Sequence, residues 1–204
     1  MAHFSIEGGH PLNGTIIPSG NKNEALPALM TCLLTDEPII LKRMPKIRDV
    51  LTTCDILAEL NVEIKWLKED SLYLCAKHLR YKKPPTTLCA QIRASILLLG
   101  PLLARFGKVE LPLPGGDVIG ARSIDTHFEC IQAFGGELTF EHEIKGSLHT
   151  IKGSPVYLDE PSVTATSNAI LLAVLGKGTS TIHNAACEPH IAGLCRLLNA
   201  MGAN

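Results

Sequence analysis

One apolar segment occurs three times in this chain, and that recurrence limits the fold more than any other feature. Runs over Glu24 to Leu34, Ala94 to Phe106 and Ser167 to Leu175 are apolar almost all round and start about 70 residues apart. A helix without a polar face has to be buried on every side. Each run leads into a short strand: Pro38 to Leu41, Lys108 to Leu113, and Thr179 to His183. An amphipathic helix follows each strand. Its stripe is Val50, Cys54, Leu57 and Asn61 in the first copy, and Ile124, Phe128 and Ile131 in the second. In the third it is Ile191, Leu194, Cys195, Leu198 and Met201, at the i, i+3/4, i+7 spacing of one helix face. The three helices end alike, at Leu60-Asn61-Val62, Phe134-Gly135-Gly136 and Met201-Gly202-Ala203. Asn or Gly just past a helix predicts a left-handed cap.

Strand pairs close the first two copies. Glu63 to Trp66 pairs with Ser71 to Cys75, and Glu137 to Phe140 with Leu148 to Ile151, across a charged turn that contains Gly146. The predicted architecture is an α/β fold of repeated β-α-β-α-β-β units. The third copy stops at Asn204, where its strand pair would begin. A missing hairpin leaves a sheet edge open, so the chain is expected to be a piece of a longer one.

The bulk numbers narrow the function. The 204 residues are 46% hydrophobic and 19% charged, which is enough apolar surface for a sizeable core. A net charge of -1 argues against a general nucleic-acid or membrane-surface binder, so any anion must be held by a few placed cations. Seven cysteines with no CxxC read as reduced thiols of a cytoplasmic protein. The apolar stretch Ala94 to Ala104 is too short to span a bilayer and is broken by Gly100 and Pro101. Cys75-x-x-His78 and Cys187-x-x-His190 share a spacing, but no second ligand pair accompanies them, and no metal site is expected. His127 and His183 read as hydrogen-bonded structural residues.

Two places carry candidate chemistry. The starts of the three buried helices hold Lys22, Arg93, and the hydroxyls of Ser162 and Thr164. Helix starts present unpaired N–H groups and the positive end of the dipole, so three brought together would bind an anion. The alternative is ordinary N-caps and solvated charges. The second place is Leu113 to Arg122, with three glycines and a proline in ten residues, Asp117 near its tip and Arg122 at its end. It reads either as a lid carrying an acid and a phosphate ligand or as a plain Gly-Gly-Asp turn before a helix.

At these residues the chain resembles a known family. Pro18-Ser19-Gly20-Asn21-Lys22-Asn23-Glu24-Ala25-Leu26-Pro27 resembles the SGxKNxALP signature of UDP-N-acetylglucosamine enolpyruvyl transferases. Ile92-Arg93-Ala94-Ser95-Ile96 with Gly100-Pro101-Leu102 is similar to that family's MRAS segment. Gly115 to Asp125 is similar to its GGCxIGxRPVD catalytic loop, and Asn184-Ala185-Ala186-Cys187-Glu188-Pro189 to its NAAxEP turn. The four matches occur in the family's order and span the chain.

The resemblance implies an inside-out α/β barrel with the units about a pseudo-threefold axis, in a two-domain protein about twice this length. Residues 1–20 would be a strand segment belonging to the second domain, and 21–204 would be one domain of three repeats, the last cut short. No cofactor is implied. The implied reaction adds the sugar 3-hydroxyl to C2 of phosphoenolpyruvate and then eliminates phosphate. Lys22 and Arg122 would hold the phosphate and carboxylate of phosphoenolpyruvate, with Asn23 in the same pocket. Arg93, Arg122, Ser123, Ile124, Asp125, Thr126, Ser162 and Val163 would line the site for UDP-N-acetylglucosamine. Asp117 stands where the family usually has cysteine and would be the proton donor or a loop gate. Ser123 replaces a proline, Glu160-Pro161 replaces a Lys-Val pair, and His190-Ile191-Ala192-Gly193 replaces a more acidic run. The rival readings are the shikimate-pathway transferase, a paralogue acting on another nucleotide, and a non-catalytic homologue or half-protein.

Overall fold

The first apolar run folds as helix α1 (Lys22–Met30), continued by a 3-10 turn over Thr31–Leu34. In the second run, a 3-10 stretch over Arg93–Leu98 passes into α4 (Leu99–Phe106), and in the third the helix is α6 (Val163–Ala173). This is a computed structural model, and it describes residues 3–116, 120 and 123–204. Ala25 to Leu34 are all buried, as an all-apolar helix requires. The change from 3-10 to α geometry suits the sequence. Pro101 falls in the first turn of α4, where its missing N–H has no intrahelical partner to lose.

The three buried helices pack on one another. The Arg93–Leu98 stretch meets α1 on one side and α6 on the other, and α4 also packs on α6. Around them lie α2 (Arg48–Glu59), α5 (Asp125–Ala133) and α7 (Pro189–Ala200). Helix α2 covers α1, α5 covers α6, and α7 touches both α1 and α6. Short sheets form the outside. In the first, β1 (Ile39–Leu41) and β2 (Glu63–Trp66) flank β3 (Leu72–Cys75), antiparallel to both. A short helix, α3 (Thr86–Cys89), leads into the second unit. There β4 (Lys108–Pro112) and β5 (Glu137–Phe140) flank β6 (Glu143–Ser147) in the same pattern. In the third unit β7 (Pro155–Tyr157) pairs in parallel with β8 (Thr181–His183) across α6.

The outer helices end on one repeated device. Asn61, Gly135 and Gly202 take φ values of 65°, 83° and 101°. The next residue donates its N–H five residues back each time: Val62 to Leu57, Gly136 to Ile131 and Ala203 to Leu198, at 3.0–3.1 Å. These are three copies of a left-handed helix stop, in register with the sequence repeat.

The structure corrects the expected elements in three respects. The last strand of the second unit is Glu143–Ser147, not Leu148 to Ile151, because the turn is tight and Ile144 is the residue that faces the core against Leu111. Among the described residues the leading strand of the repeat is present in the third unit, as β7, and absent ahead of α3 in the second. Among the described residues, 3–21 hold no strand and 3–19 are exposed; before α3 the dipeptide Pro84-Pro85 removes two ladder donors. Helix α6 starts at Val163, at the helix start read from Ser162 to Thr164. The buried face of α5 is Thr126, His127, Cys130 and Ile131, with Phe128 only half-buried.

Candidate active site

The starts of α1, of the Arg93–Leu98 stretch and of α6 meet at a cavity of about 160 Å³. Lys22 and Asn23 line it from the first, Arg93 and Ala94 from the second, Val163 and Thr164 from the third. Each start is shaped locally. The Asn21 side chain accepts from the Glu24 N–H at 3.0 Å and caps α1. The Ser162 hydroxyl accepts from the Ala165 N–H at 3.4 Å and caps α6. The middle start has no side-chain cap; the Ser95 hydroxyl instead donates to the Ile92 and Cys89 carbonyls. The ammonium of Lys22 lies 3.1 Å from the Asp49 carboxylate, which also lines the cavity. Both side chains are well exposed, so the pair stabilises the fold little and leaves the ammonium accessible.

Arg93 ties this cavity to the glycine-rich loop. Its Nη2 donates to the Ser123 carbonyl at 3.0 Å. On the other side of the loop, Gly116 has φ 98° and lies against the Arg93 backbone, where an added Cβ would sit 3.0 Å from the Arg93 nitrogen. Gly115 donates to the Cys89 carbonyl, and an added Cβ would fall 1.6 Å from the Ala90 oxygen. Only glycine fits there. Arg93 therefore touches the backbone on both sides of residues 117–122.

A buried polar chain runs behind the cavity. Asn168, fully buried, accepts from the Gly100 N–H at 2.9 Å and donates to the Ile96 carbonyl and to His127 Nδ1, each at 3.0 Å. Since Nδ1 accepts, the ring proton of the neutral imidazole sits on Nε2, which donates to the Thr164 hydroxyl at 3.1 Å. Burial, with the nearby charge of Arg93 adding to it, lowers the His127 pKa to about 3. His127 is therefore neutral at any physiological pH.

Of the residues expected from the sequence, Lys22, Asn23, Arg93, Val163 and Thr164 share the cavity. Ser123, Ile124, Asp125 and Thr126 open α5 and connect to it through the Arg93–Ser123 bond. The Ser123 hydroxyl is hydrogen-bonded to the Asp125 carboxylate, and the Thr126 hydroxyl donates to Glu160 at 3.4 Å. Ser162 is the cap of α6 and does not line the cavity. Asp117 and Arg122 lie outside the described residues. Asp49 and Asn168 were missed. Asp49 looks like an ordinary first-turn acid of α2, and Asn168 looks like one polar break in an apolar helix. The Asn184-Ala185-Ala186 turn is a brace. Asn184 has φ 54° and donates to the Leu158 carbonyl, while the Ala186 N–H donates to Thr166 in α6. Among the described residues no group of three or more His, Cys, Asp or Glu is placed to hold a metal, and no helix is long and apolar enough to cross a membrane.

Residues 6–204 match the family described as EPSP synthase (3-phosphoshikimate 1-carboxyvinyltransferase). The chain belongs to the EPSP synthase family. Within this family it is 46% identical over 203 residues to a UDP-N-acetylglucosamine 1-carboxyvinyltransferase of Treponema denticola, covering 100% of this chain and 48% of that protein. It is 45% identical over 200 residues to the protein of the same name from Bradyrhizobium diazoefficiens, covering 98% and 46%. The chain thus spans about half the length of these EPSP synthase family relatives. Its fold superposes on the enolpyruvyl transferase NikO of Streptomyces tendae with a TM-score of 0.81 at 18% identity, over 97% of this chain and 46% of that one. An EPSP synthase from Acinetobacter baumannii gives 0.70 at 17% identity, over 94% and 44%. The α/β inside-out architecture of the EPSP synthase family is therefore the architecture of this chain.

Proposed function

We propose that this chain is the cation-bearing domain of an enzyme that transfers the enolpyruvyl group of phosphoenolpyruvate to the 3-hydroxyl of UDP-N-acetylglucosamine, the first committed step of peptidoglycan precursor synthesis. The observation that carries the proposal is the convergence of three helix starts, with Lys22 and Arg93, on one solvent-open cavity. Positive helix ends and two fixed cations suit a ligand rich in phosphate and carboxylate. The names of the 45–46% identical relatives favour the nucleotide sugar over shikimate 3-phosphate as acceptor.

In this reading the sugar hydroxyl oxygen bonds to C2 of phosphoenolpyruvate, the hydroxyl proton leaves to a base, and C3 gains a proton. C3 then loses a proton as the C2–O bond to phosphate breaks. Lys22 and Arg122 hold the phosphate and carboxylate, and Asn23 adds a hydrogen bond. Arg93, Arg122, Ser123, Ile124, Asp125, Thr126, Ser162 and Val163 hold the nucleotide sugar, and Asp117 gives C3 its proton. The remaining groups come from a second domain that faces the cavity, in which the exposed residues 3–19, with Phe4, Ile6, Leu12, Ile16 and Ile17 bare, are seated as a strand. Fixed charge in a closed site is the main source of rate.

The test is phosphate release from phosphoenolpyruvate with UDP-N-acetylglucosamine as acceptor, by the two-domain protein and by the 204-residue chain alone. The two-domain protein should turn over and the chain alone should not. Absence of turnover in the two-domain protein, or turnover with shikimate 3-phosphate in its place, overturns the assignment.

A further inference from the structure

We infer that the Thr164 hydroxyl is an additional oxyanion donor in the cavity, and that the buried His127–Asn168 pair is the device that aims it. The inference rests on the reading of the cavity as an anion site, and it assigns the Thr164 hydroxyl a donor role there and His127 and Asn168 a positioning role. Thr164 replaces no cap. The capping role at α6 belongs to Ser162, and Thr164 sits in the first helical turn, among the residues that line the cavity.

Hydrogen-bond directions around Asn168 and His127 fix the role of the Thr164 hydroxyl. The Asn168 amide is fixed at both ends, because its oxygen accepts from Gly100 and its nitrogen reaches the Ile96 carbonyl. The second proton of that nitrogen can only go to His127 Nδ1. A histidine that accepts at Nδ1 carries its proton on Nε2, and Nε2 lies 3.1 Å from Thr164 Oγ1. Thr164 is thus an acceptor toward the protein interior, and its own hydrogen is left to donate. Among the described residues the contact with His127 is the one hydrogen bond that the Thr164 hydroxyl makes. Thr164 lines the same cavity as Lys22, Asn23 and Arg93, which is where an acceptor for that hydrogen would come from.

The arrangement has a chemical consequence. A free serine or threonine hydroxyl rotates, and on meeting an anion it must be reoriented. One whose lone pair is already engaged by an imidazole N–H presents a pre-aimed donor, and pre-aimed donors cost little reorganisation. The recognised group is an oxyanion, either a phosphate of the nucleotide sugar or the phosphate or carboxylate of phosphoenolpyruvate. His127 touches no ligand in this scheme and is a positioning residue.

The experiment uses the two-domain protein with Thr164→Val, Thr164→Ser and His127→Gln. Inorganic phosphate binding is measured by calorimetry, and KM and kcat are measured separately for each substrate. Valine keeps the shape and removes the hydroxyl, so binding of phosphate should weaken about tenfold or more, the loss of one hydrogen bond to a charged group. Thr164→Ser should restore it. KM should rise for the substrate whose oxyanion meets Thr164 and stay level for the other, which tells the two sources apart. His127→Gln should weaken phosphate binding in the same direction, and nitrogen shifts of the parent imidazole should report the Nε2–H tautomer. Parental phosphate affinity in Thr164→Val, or an Nδ1–H tautomer, overturns the inference. If the parent binds phosphate through Thr164 yet transfers no enolpyruvyl group, the inference stands and the assigned reaction falls.

Discussion

The guanidinium of Arg93 donates to the carbonyl of Ser123 at 3.0 Å, across 30 residues of sequence. Arg93 lines the cavity formed by the helix starts, and Ser123 immediately follows the loop that carries Asp117 and Arg122. One side chain therefore links the cavity to the residue that follows the loop. Arg93→Ala should loosen the loop and the site together. Loss of a hydrogen bond from a charged donor is worth about 1.5–3 kcal/mol, so affinity for the nucleotide sugar should fall by roughly 10–100-fold. Limited proteolysis should show faster cleavage within 117–122. Unchanged affinity and unchanged cleavage would leave Arg93 as a bystander.

Lys22 offers a sharper separation of stability from activity. Its partner Asp49 is exposed, so Lys22→Ala should change folding stability by less than about 1 kcal/mol. Turnover of the two-domain protein should drop on the order of 10²–10³-fold, because a dianion loses its fixed positive partner. Arg122→Lys should also fail, since a point charge does not replace a planar fork. Steady-state rates beside denaturant melts decide both.

Asp117 predicts a drug response. In the resembling family fosfomycin alkylates the loop cysteine, and no cysteine of this chain falls between Leu113 and Arg122. A carboxylate is a poorer nucleophile than a thiolate. Intact mass after fosfomycin treatment should show no adduct on the parent protein, and an adduct should appear in active Asp117→Cys. A proton donor must be protonated when it acts, so the rate should fall as pH rises past the Asp117 pKa. The fall should move to higher pH in Asp117→Cys. An adduct on the parent, or superimposable pH profiles, removes Asp117 from its assigned role.

Stability should carry the signature of His127. Its pKa falls from an ordinary 6.5 to about 3 in the fold, chiefly through burial. Below pH 6.5 the unfolded chain takes up the proton and the native one does not. Native stability should therefore decline as pH falls from 6.5 toward 3, by up to about 1.4 kcal/mol per pH unit from this group. His127→Gln should flatten that part of the curve. Urea midpoints of parent and variant at pH 7, 5.5 and 4.5 test it; equal pH slopes would mean that His127 is not buried neutral.

The three helix stops make a matched set for backbone strain. Gly135→Ala and Gly202→Ala place a Cβ at φ 83° and 101° and should each cost about 1–2 kcal/mol. Asn61→Gly, at φ 65°, should be neutral or slightly stabilising. Denaturant midpoints that rank the three otherwise would break the equivalence of the caps.

The sequence by itself determined the repeat, because its signals are local. An all-apolar helix, an amphipathic stripe and a Gly or Asn stop each follow from neighbours within a turn or two. So the order of helices and hairpins, and the three caps, were legible. Strand limits were less so. Leu148 to Ile151 looked like the better β segment, yet Glu143–Ser147 forms the strand, because pairing with β4 and the depth of Ile144 decide register, and both are non-local. The helix starts with Lys22 and Arg93 were recognisable as candidates. That they share one cavity, with Val163 and Thr164 beside them, was decided by packing between segments about 70 residues apart. Only the tertiary structure revealed the Asn168–His127–Thr164 chain. Hydrogen-bond direction depends on where all partners stand, and no spacing in the sequence records that a buried amide has one proton left for an imidazole.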